Sequence, residues 1–362
     1  FTTFTLAPTL SISECKNITQ RGYYVLTQNI SSAGTCLNTT ADDIFINCQG
    51  YTINYSASAE GYGVYGETQG NLSVANCHIL QTGTDGSSYS IYLNTVHNAT
   101  IINNSITTKG ASSDPIRTYK SNYLYIGNNT LNKSSSGEGA GLLIDQGITG
   151  RVINNTIYQT GSERIWGALH MSSSVNMSLT DNNISQSSYT GLMITGSSDT
   201  NHRHSIDTTN YVDGKPVYYN TTLSDMTVLE NTDLTETYGQ IICDNCTNVT
   251  YRNLQLARDG IAIFGSTLGV LENITVSNDK GPSLVIYDSY NFNVNNSAFS
   301  MTGSDSHTAL IRGSNYNTIT TSNFTGTGNT IVELWDAHHN DFNNTRIRGT
   351  SSFAIRITGS DN

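Results

Sequence analysis

Short runs of alternating apolar and polar residues recur along the chain, separated by Gly, Ser, Asn or Asp. Alternation with a period of two is typical of β-strands, and the separating residues are those that favour turns. No stretch combines a helical period with capping residues. The pattern therefore predicts an all-β protein built from many short strands.

One motif repeats within these runs: an apolar residue, a polar residue, one or two asparagines, and an apolar residue again. Clear copies lie at residues 101–106, 126–131, 152–157, 179–184, 271–276 and 294–299. Successive anchors are 29, 27, 25, 26 and 27 residues apart, at Cys48, Cys77, Asn104, Asn129, Asn155 and Asn182. Such a period is the length of one solenoid coil. We therefore predict an all-β right-handed parallel β-helix with an irregular excursion near residues 199–250, where the repeat is interrupted.

Stacking of coils gives the asparagines a structural role. Equivalent residues of neighbouring coils lie about 4.8 Å apart. An Asn at the turn can adopt the left-handed conformation, and its amide can bond to the Asn above and below, which forms a ladder. Residues 1–40 are expected to cap or pair with the solenoid and residues 41–362 to form it. The flanking aliphatic residues are expected in the core, among them Ile102, Ile106, Ile126, Leu131, Ile153 and Ile157.

Charge and hydropathy narrow the possible partners. Only 12% of residues are charged and the net charge is −11. Nucleic-acid binding would require a basic stripe, and none is visible. No apolar run approaches the roughly 20 residues that span a bilayer. The chain begins at Phe1 without a signal peptide, so we expect a mature product of export.

Asparagine sequons point to N-glycosylation and an extracellular or cell-surface location. An alternative is that strand alternation places Ser or Thr two residues after Asn without any attached sugar. We predict covalent N-glycans at the 19 sequons: Asn17, Asn29, Asn38, Asn54, Asn71, Asn98, Asn103, Asn128, Asn132, Asn154, Asn176, Asn183, Asn220, Asn245, Asn248, Asn273, Asn295, Asn323 and Asn343.

Six cysteines form an even set, as expected of disulfides in an exported chain. We favour pairing Cys15 with Cys36, and Cys48 with Cys77, because the latter two occupy similar places in successive repeats. Cys243-x-x-Cys246 could be a redox pair, half of a metal site or a local disulfide. Since no second CxxC exists to complete a zinc site, the structural interpretation is preferred.

Three stretches carry a family resemblance: residues 206–219 (IDTTNYVDGKPVYY), 41–53 (ADDIFINCQGYTI) and 245–254 (NCTNVTYRNL). They resemble elements of the NosD-type family of exported parallel β-helices with PbH1 repeats. That family includes carbohydrate-binding and sugar-hydrolase-like proteins, periplasmic proteins implicated in copper-site maturation, and archaeal cell-surface proteins. The resemblance implies an exported solenoid and leaves its activity open.

A copper role would need clustered imidazole or sulfur ligands. The candidates are His202 and His204, which on a strand would point to one face, with Cys243 and Cys246 as possible additions. The alternative is that this segment is a surface excursion with solvated histidines. We therefore predict no metal site and keep His202 and His204 as weak candidates.

Cleavage of a polysaccharide would need clustered acids. Asp145, Glu163, Asp181 and Asp199 are scattered, so we name no catalytic residue and lean against an enzyme. Saccharide binding would need exposed aromatic rings. Tyrosines are plentiful, although they also pack well in strands; candidates are Tyr211, Tyr218, Tyr219, Tyr287 and Tyr290.

Open strand edges at the ends of a solenoid invite pairing with another subunit. The sequence therefore favours a glycosylated extracellular structural protein, archaeal in origin, that self-associates through its ends into a surface filament or layer. The alternatives are a β-helix that binds or cleaves carbohydrate and a NosD-like copper-handling protein. No cofactor is predicted.

Overall fold

A computed structural model describes residues 9–84, 86–135, 137, 139–160, 167–186, 190–196, 198–303 and 307–360. Residues 1–8 of the predicted capping segment lie outside this described part, as does Glu163. Almost all regular structure in these ranges is β-strand, and the helical element found there is a four-residue 3₁₀ helix, Asp199–His202. No helix in the described ranges is long and apolar enough to cross a membrane. The chain forms two compact units, residues 1–159 with 177–182, and residues 160–176 with 183–362.

The first unit consists of three parallel sheets, to which successive coils contribute one strand each. The first sheet contains Thr9–Ile12, Gly22–Leu26, Ile44–Asn47, Leu72–Ala75, Thr100–Ile102, Asn122–Gly127 and Ile148–Ile153. The second contains Lys16–Ile18, Leu37–Thr39, Val64–Gly70, Ile91–His97, Ile116–Tyr119 and Leu142–Asp145. The third contains Ile30–Ser31, Thr52–Tyr55, His78–Gln81, Ser105–Thr108, Thr130–Lys133 and Thr156–Gln159. The predicted parallel β-helix is confirmed.

Alternation along each strand decides which aliphatic residues enter the interior. Ile106, Ile126, Leu131 and Ile157 are buried, as predicted. The prediction was wrong for two others, which are only partly buried because the residue before each of them faces inward. Those two are Ile102 and Ile153, and the buried neighbours are Ile101 and Val152.

The paired asparagines divide two roles between them. The first of each pair takes the left-handed conformation, with φ of 57° at Asn103 and 55° at Asn128. The second is buried and builds the ladder: Nδ2 of Asn104 lies 3.0 Å from Oδ1 of Asn129, and Nδ2 of Asn129 lies 2.9 Å from Oδ1 of Asn155. The predicted ladder is present, and it continues to Asn182.

The second unit begins with parallel strands Leu169–Ser172 and Leu192–Thr195. The excursion then contains the 3₁₀ helix, strand Ser205–Ile206 and an antiparallel hairpin of Tyr211–Val212 with Lys215–Thr221. Tyr211–Val212 also pairs with Asn183–Gln186 in parallel. Strand Val175–Thr180 includes residues of both units.

Parallel stacking resumes within the second unit on two faces. One face contains Lys215–Thr221, Gln240–Asp244, Ile261–Phe264, Leu284–Tyr287, His307–Arg312, Thr330–Trp335 and Phe353–Thr358. The other begins with Ser224–Asp233, Thr247–Ala257 and Val270–Asn278. It then divides into Asn293–Asn295, Thr318–Thr320 and Asp341–Asn343, and into Ala298–Met301, Asn323–Gly326 and Arg346–Gly349.

Candidate functional site

Four tyrosines cluster on the outer surface of the second sheet of the first unit. They belong to two copies of one motif, residues 62–65 (YGVY) and 89–92 (YSIY), one coil apart. Tyr65 and Tyr92 are in register, and the preceding Val64 and Ile91 point inward and are fully buried. Alternation therefore turns the tyrosines outward. We call Tyr62, Tyr65, Tyr89 and Tyr92 the tyrosine patch.

The rings of the tyrosine patch pack against one another. Ring centroids lie 4.9 Å apart for Tyr62 and Tyr65, 5.5 Å for Tyr65 and Tyr92, and 5.3 Å for Tyr89 and Tyr92. Such contacts fix the rings in place. Each ring remains partly accessible to solvent. The patch is thus a rigid aromatic surface with phenol hydroxyl groups.

Arg117 continues the column of Tyr65 and Tyr92 into the next coil. Its guanidinium carbon lies 4.8 Å from the ring centroid of Tyr89, and Nη1 donates to the Tyr89 hydroxyl at 2.9 Å. Burial raises the pKa of Tyr89 to about 12, so its hydroxyl is neutral at physiological pH. This hydroxyl can donate to a ligand while it accepts from Arg117.

A buried carboxylate supports the arginine. Oδ2 of Asp114 lies 3.6 Å from Nη1 of Arg117, and Oδ1 accepts from the backbone N–H of Ala140 at 2.7 Å. Burial raises the pKa of Asp114 to about 6, against the opposing charges of Arg117 and Lys133. Burial likewise lowers the pKa of Lys133 to about 8, while Asp114 opposes this change. Asp114 is thus a buried partner of Arg117.

A groove runs beside the patch, with Tyr62 and Tyr65 in its wall. We call it the Tyr62 groove. The Cys15–Cys36 disulfide joins two of its segments. Hydroxyl, amide and ammonium groups line the remainder, and none of the described lining residues is acidic; they are Lys16, Asn17, Ser32, Thr35 and Asn38.

This combination of an aromatic wall with amide and hydroxyl groups can hold a saccharide, because pyranose C–H faces pack on rings while sugar hydroxyls form hydrogen bonds. Glycoside hydrolysis ordinarily uses two carboxyl groups flanking the scissile bond. The described lining of the Tyr62 groove supplies neither of them. The rings, amides and hydroxyls of the groove suit the binding of a saccharide.

His202 and His204 lie in the second unit, and their local structure differs from the strand that the sequence suggested. His202 ends the 3₁₀ helix and is buried. Its Nδ1 lies 2.5 Å from Oδ1 of Asp244, and its Nε2 lies 2.9 Å from the carbonyl oxygen of Gly196. Nε2 of His204 lies 2.8 Å from the carbonyl oxygen of Asn201.

The pKa values of the two histidines shift in opposite directions. Burial alone would lower the pKa of His202, but the bond and charge of Asp244 outweigh it and raise the pKa. Tyr219 also donates to Asp244, at 2.7 Å. Burial lowers the pKa of His204 to about 4. Within the described residues no group of three or more His, Cys, Asp or Glu could hold a metal. A copper role for His202 and His204 stays an alternative that rests on the sequence resemblance.

All three disulfides are present: Cys15–Cys36, Cys48–Cys77 and Cys243–Cys246. Both predicted long-range pairs are confirmed, and the CxxC is a local disulfide. Because a disulfide offers no thiolate, Cys243 and Cys246 are not available to join the histidines as metal ligands in this state.

The sequon asparagines share one structural property: none of the 19 has a buried side chain, and 13 are exposed. The ladder asparagines, by contrast, are buried, and none of them is the glycosylated position of a sequon. Asn220 is an exception within the set, because its Nδ2 atom is buried although the residue as a whole is partly exposed.

None of the five tyrosines named from sequence lies in the tyrosine patch or lines the Tyr62 groove. Ring contacts in the described part join none of the five to another, although Tyr218 packs on Tyr238 at 4.9 Å. The tyrosine patch is not among the sites predicted from the sequence. The signal that could have found it is the repetition of Tyr-x-x-Tyr at a spacing of 27 residues, which is one coil.

Known proteins show a similar fold at low similarity. The mannuronan C-5 epimerase AlgE6 A-module of Azotobacter vinelandii is 12% identical, with a TM-score of 0.34 over 98% of this chain and 89% of that one. PfbA, a surface adhesin of Streptococcus pneumoniae, is 8% identical. Its TM-score is 0.37, and the match covers 95% of this chain and 83% of PfbA. The tailspike of Escherichia coli bacteriophage HK620 is 10% identical. Its TM-score is 0.32, and the match covers 98% of this chain and 72% of the tailspike. At these scores the likeness carries no argument about ligand or activity.

No curated protein matched the chain. One family profile did, and it covers both copies of the Tyr-x-x-Tyr motif. Residues 62–233 match the family described as right handed beta helix region. Together with the parallel stacking of the strands, the match identifies the fold as an all-β right-handed parallel β-helix.

Proposed function

We propose that this chain is an extracellular saccharide-binding β-helix and that an oligosaccharide lies in the Tyr62 groove. The supporting observation is that Tyr62 and Tyr65 line one groove together with amide and hydroxyl groups. An extracellular site suits the three disulfides, since disulfides persist in oxidising compartments. Binding without cleavage is the role that fits a lining without acids.

Replacing Tyr62 and Tyr65 by alanine is expected to weaken saccharide binding at least tenfold. Loss of about 1.4 kcal/mol of ring contact is sufficient for that change. The measurement is calorimetric titration with the best neutral oligosaccharide from a binding panel. Protein from a host without N-glycosylation is required, because Asn17 and Asn38 line the groove and a glycan on either would fill it.

Tyr123→Ala provides the matched control. Tyr123 lies in the same unit, and 61% of its side chain is exposed. Its removal should leave affinity unchanged, and circular dichroism should show that every variant keeps its strands. Failure of the whole panel to bind, or equal losses in Tyr123→Ala and the double variant, would contradict the proposal.

We also propose that the exposed sequons outside the Tyr62 groove carry N-glycans, and that Asn17 and Asn38, which line the groove, do not. Glycopeptide mass spectrometry of protein from its native source should find sugar at exposed positions such as Asn71, Asn98 and Asn103. Asn220 should be unmodified when folded protein is the substrate, because its Nδ2 is buried. Bare asparagine at most exposed sequons would overturn this proposal.

Self-association through the solenoid remains the sequence-based prediction for assembly. Strand Phe353–Thr358 has three apolar side chains that are 46–55% exposed, Phe353, Ile355 and Ile357. If they pair with a second copy, Ile355→Lys with Ile357→Lys should shift the sedimentation coefficient from that of an assembly to that of a monomer. A wild-type chain that sediments only as a monomer would end this prediction.

A further inference from the structure

One column of outward-facing side chains in the second unit combines aromatic rings with a cation. Tyr287, Arg312 and Trp335 occupy equivalent places in three successive coils. Their side chains are partly exposed, whereas Phe264, one coil earlier in the same column, is fully buried. The column therefore becomes accessible at these three residues, which we call the Arg312 strip.

Arg312 is held between two rings. Its guanidinium carbon lies 4.4 Å from the Trp335 ring centroid and 5.5 Å from that of Tyr287. Stacking of this kind fixes the planar group while leaving its N–H edge free to donate. An arginine arranged in this way is pre-organised for a planar, two-oxygen acceptor.

No such acceptor is bound to Arg312 among the described residues. No ion pair or side-chain hydrogen bond of its guanidinium is present there, whereas Arg117 in the tyrosine patch contacts both Asp114 and Tyr89. The charge of Arg312 acts on the pKa of Asp288, but the two groups lie outside ion-pair distance. Oδ1 of Asp288 lies close to the backbone of Gly313. The cation is thus positioned but unpaired.

We propose that the Arg312 strip binds an acidic saccharide, with the guanidinium donating to a uronate carboxylate and the pyranose ring packed on Trp335. A carboxylate matches the two-oxygen geometry and carries one negative charge. A doubly charged phosphate would be repelled more strongly by Asp288 and Asp336, which directly follow the strip residues Tyr287 and Trp335 in the chain. The proposal shares only the ligand class with the proposed function, since it uses no residue of the Tyr62 groove.

Trp335 provides a direct readout. The chain has two tryptophans, Trp166 and Trp335, so Trp166→Phe leaves one fluorophore in the strip. In that background, hexagalacturonate should change the emission of Trp335 in a saturable way, and the carboxyl-reduced hexasaccharide should bind at least tenfold more weakly. Raising the salt concentration should weaken hexagalacturonate binding further, because the contact is ionic.

Two variants separate charge from geometry. Arg312→Gln should lower the affinity for hexagalacturonate at least tenfold, and Arg312→Lys should recover only part of it, because an ammonium cannot make the bidentate contact. Tyr123→Ala is the surface control, and circular dichroism checks folding. In Tyr62→Ala with Tyr65→Ala, the emission response should be unchanged, so this proposal and the Tyr62 groove can fail separately.

Four results would overturn the proposal. Three of them are equal affinity for the acidic and the reduced hexasaccharide, equal saturation by inorganic sulfate, and loss of the emission response in the Tyr62 groove variant. Absence of any response to hexagalacturonate in folded Trp166→Phe protein would do the same.

Discussion

Replacing Asn129 by alanine is expected to lower the free energy of unfolding by about 4 kcal/mol, because each buried polar group left unpaired costs about 1–3 kcal/mol. Oδ1 of Asn129 accepts from N and Nδ2 of Asn104, both at 3.0 Å. Its Nδ2 donates to Oδ1 of Asn155 and to the carbonyl oxygen of Ile101, both at 2.9 Å. Alanine can replace none of these bonds. Urea unfolding followed by circular dichroism measures the change.

Asn128→Gly is the matched control for Asn129→Ala. Asn128 is exposed and adopts a φ of 55°, a conformation that glycine accepts without strain. Its bond with Asn154 is on the surface, so the loss should be below about 1 kcal/mol. Both variants are compared in protein without glycans, because Asn128 is a sequon. Equal losses in the two variants would show that the buried ladder does not stabilise the solenoid.

Removing the Cys48–Cys77 disulfide is expected to destabilise the chain by about 3.5 kcal/mol through the entropy of the unfolded state. The two cysteines are 29 residues apart, so the bond holds one coil against the next. Cys48→Ala with Cys77→Ala removes it without burying hydroxyl groups. The midpoint and slope of urea unfolding give the loss.

The Cys243–Cys246 disulfide is the natural comparison. It is buried like the first, but its cysteines are only three residues apart. The same entropy relation gives about 1.5 kcal/mol for so short a loop. The Cys48–Cys77 variant should therefore lose about 2 kcal/mol more than Cys243→Ala with Cys246→Ala. A larger loss from the CxxC pair would contradict the chain-entropy explanation.

The repeat predicted most of the fold because its period and its alternation are both local properties. The spacing of one coil between Asn104 and Asn129 predicts that the two side chains stack. The residues that face the interior are harder to predict, because a shift of one position along a strand moves every side chain to the other face. Ile101 and Ile102 are both isoleucine, and only the strand register shows which of them is buried.

The candidate site was harder to predict because it depends on contacts between coils. Tyr62 and Tyr89 become neighbours only when the coils stack with a spacing of 27 residues. The buried position of His202 cannot be predicted from the sequence for a different reason. Its 3₁₀ helix is set by a Ser198 cap and by the buried Asp244, which is 42 residues away in sequence. No local sequence pattern near His202 predicts its contact with Asp244.

The position of a bound saccharide decides whether the Tyr62 groove is the binding site. We would determine the crystal structure of unglycosylated protein soaked with the tightest-binding neutral oligosaccharide. We expect a pyranose ring packed within about 4 Å of Tyr62 or Tyr65, with sugar hydroxyls bonded to side chains of the Tyr62 groove. Density for the sugar only at another surface, with the groove empty, would contradict it.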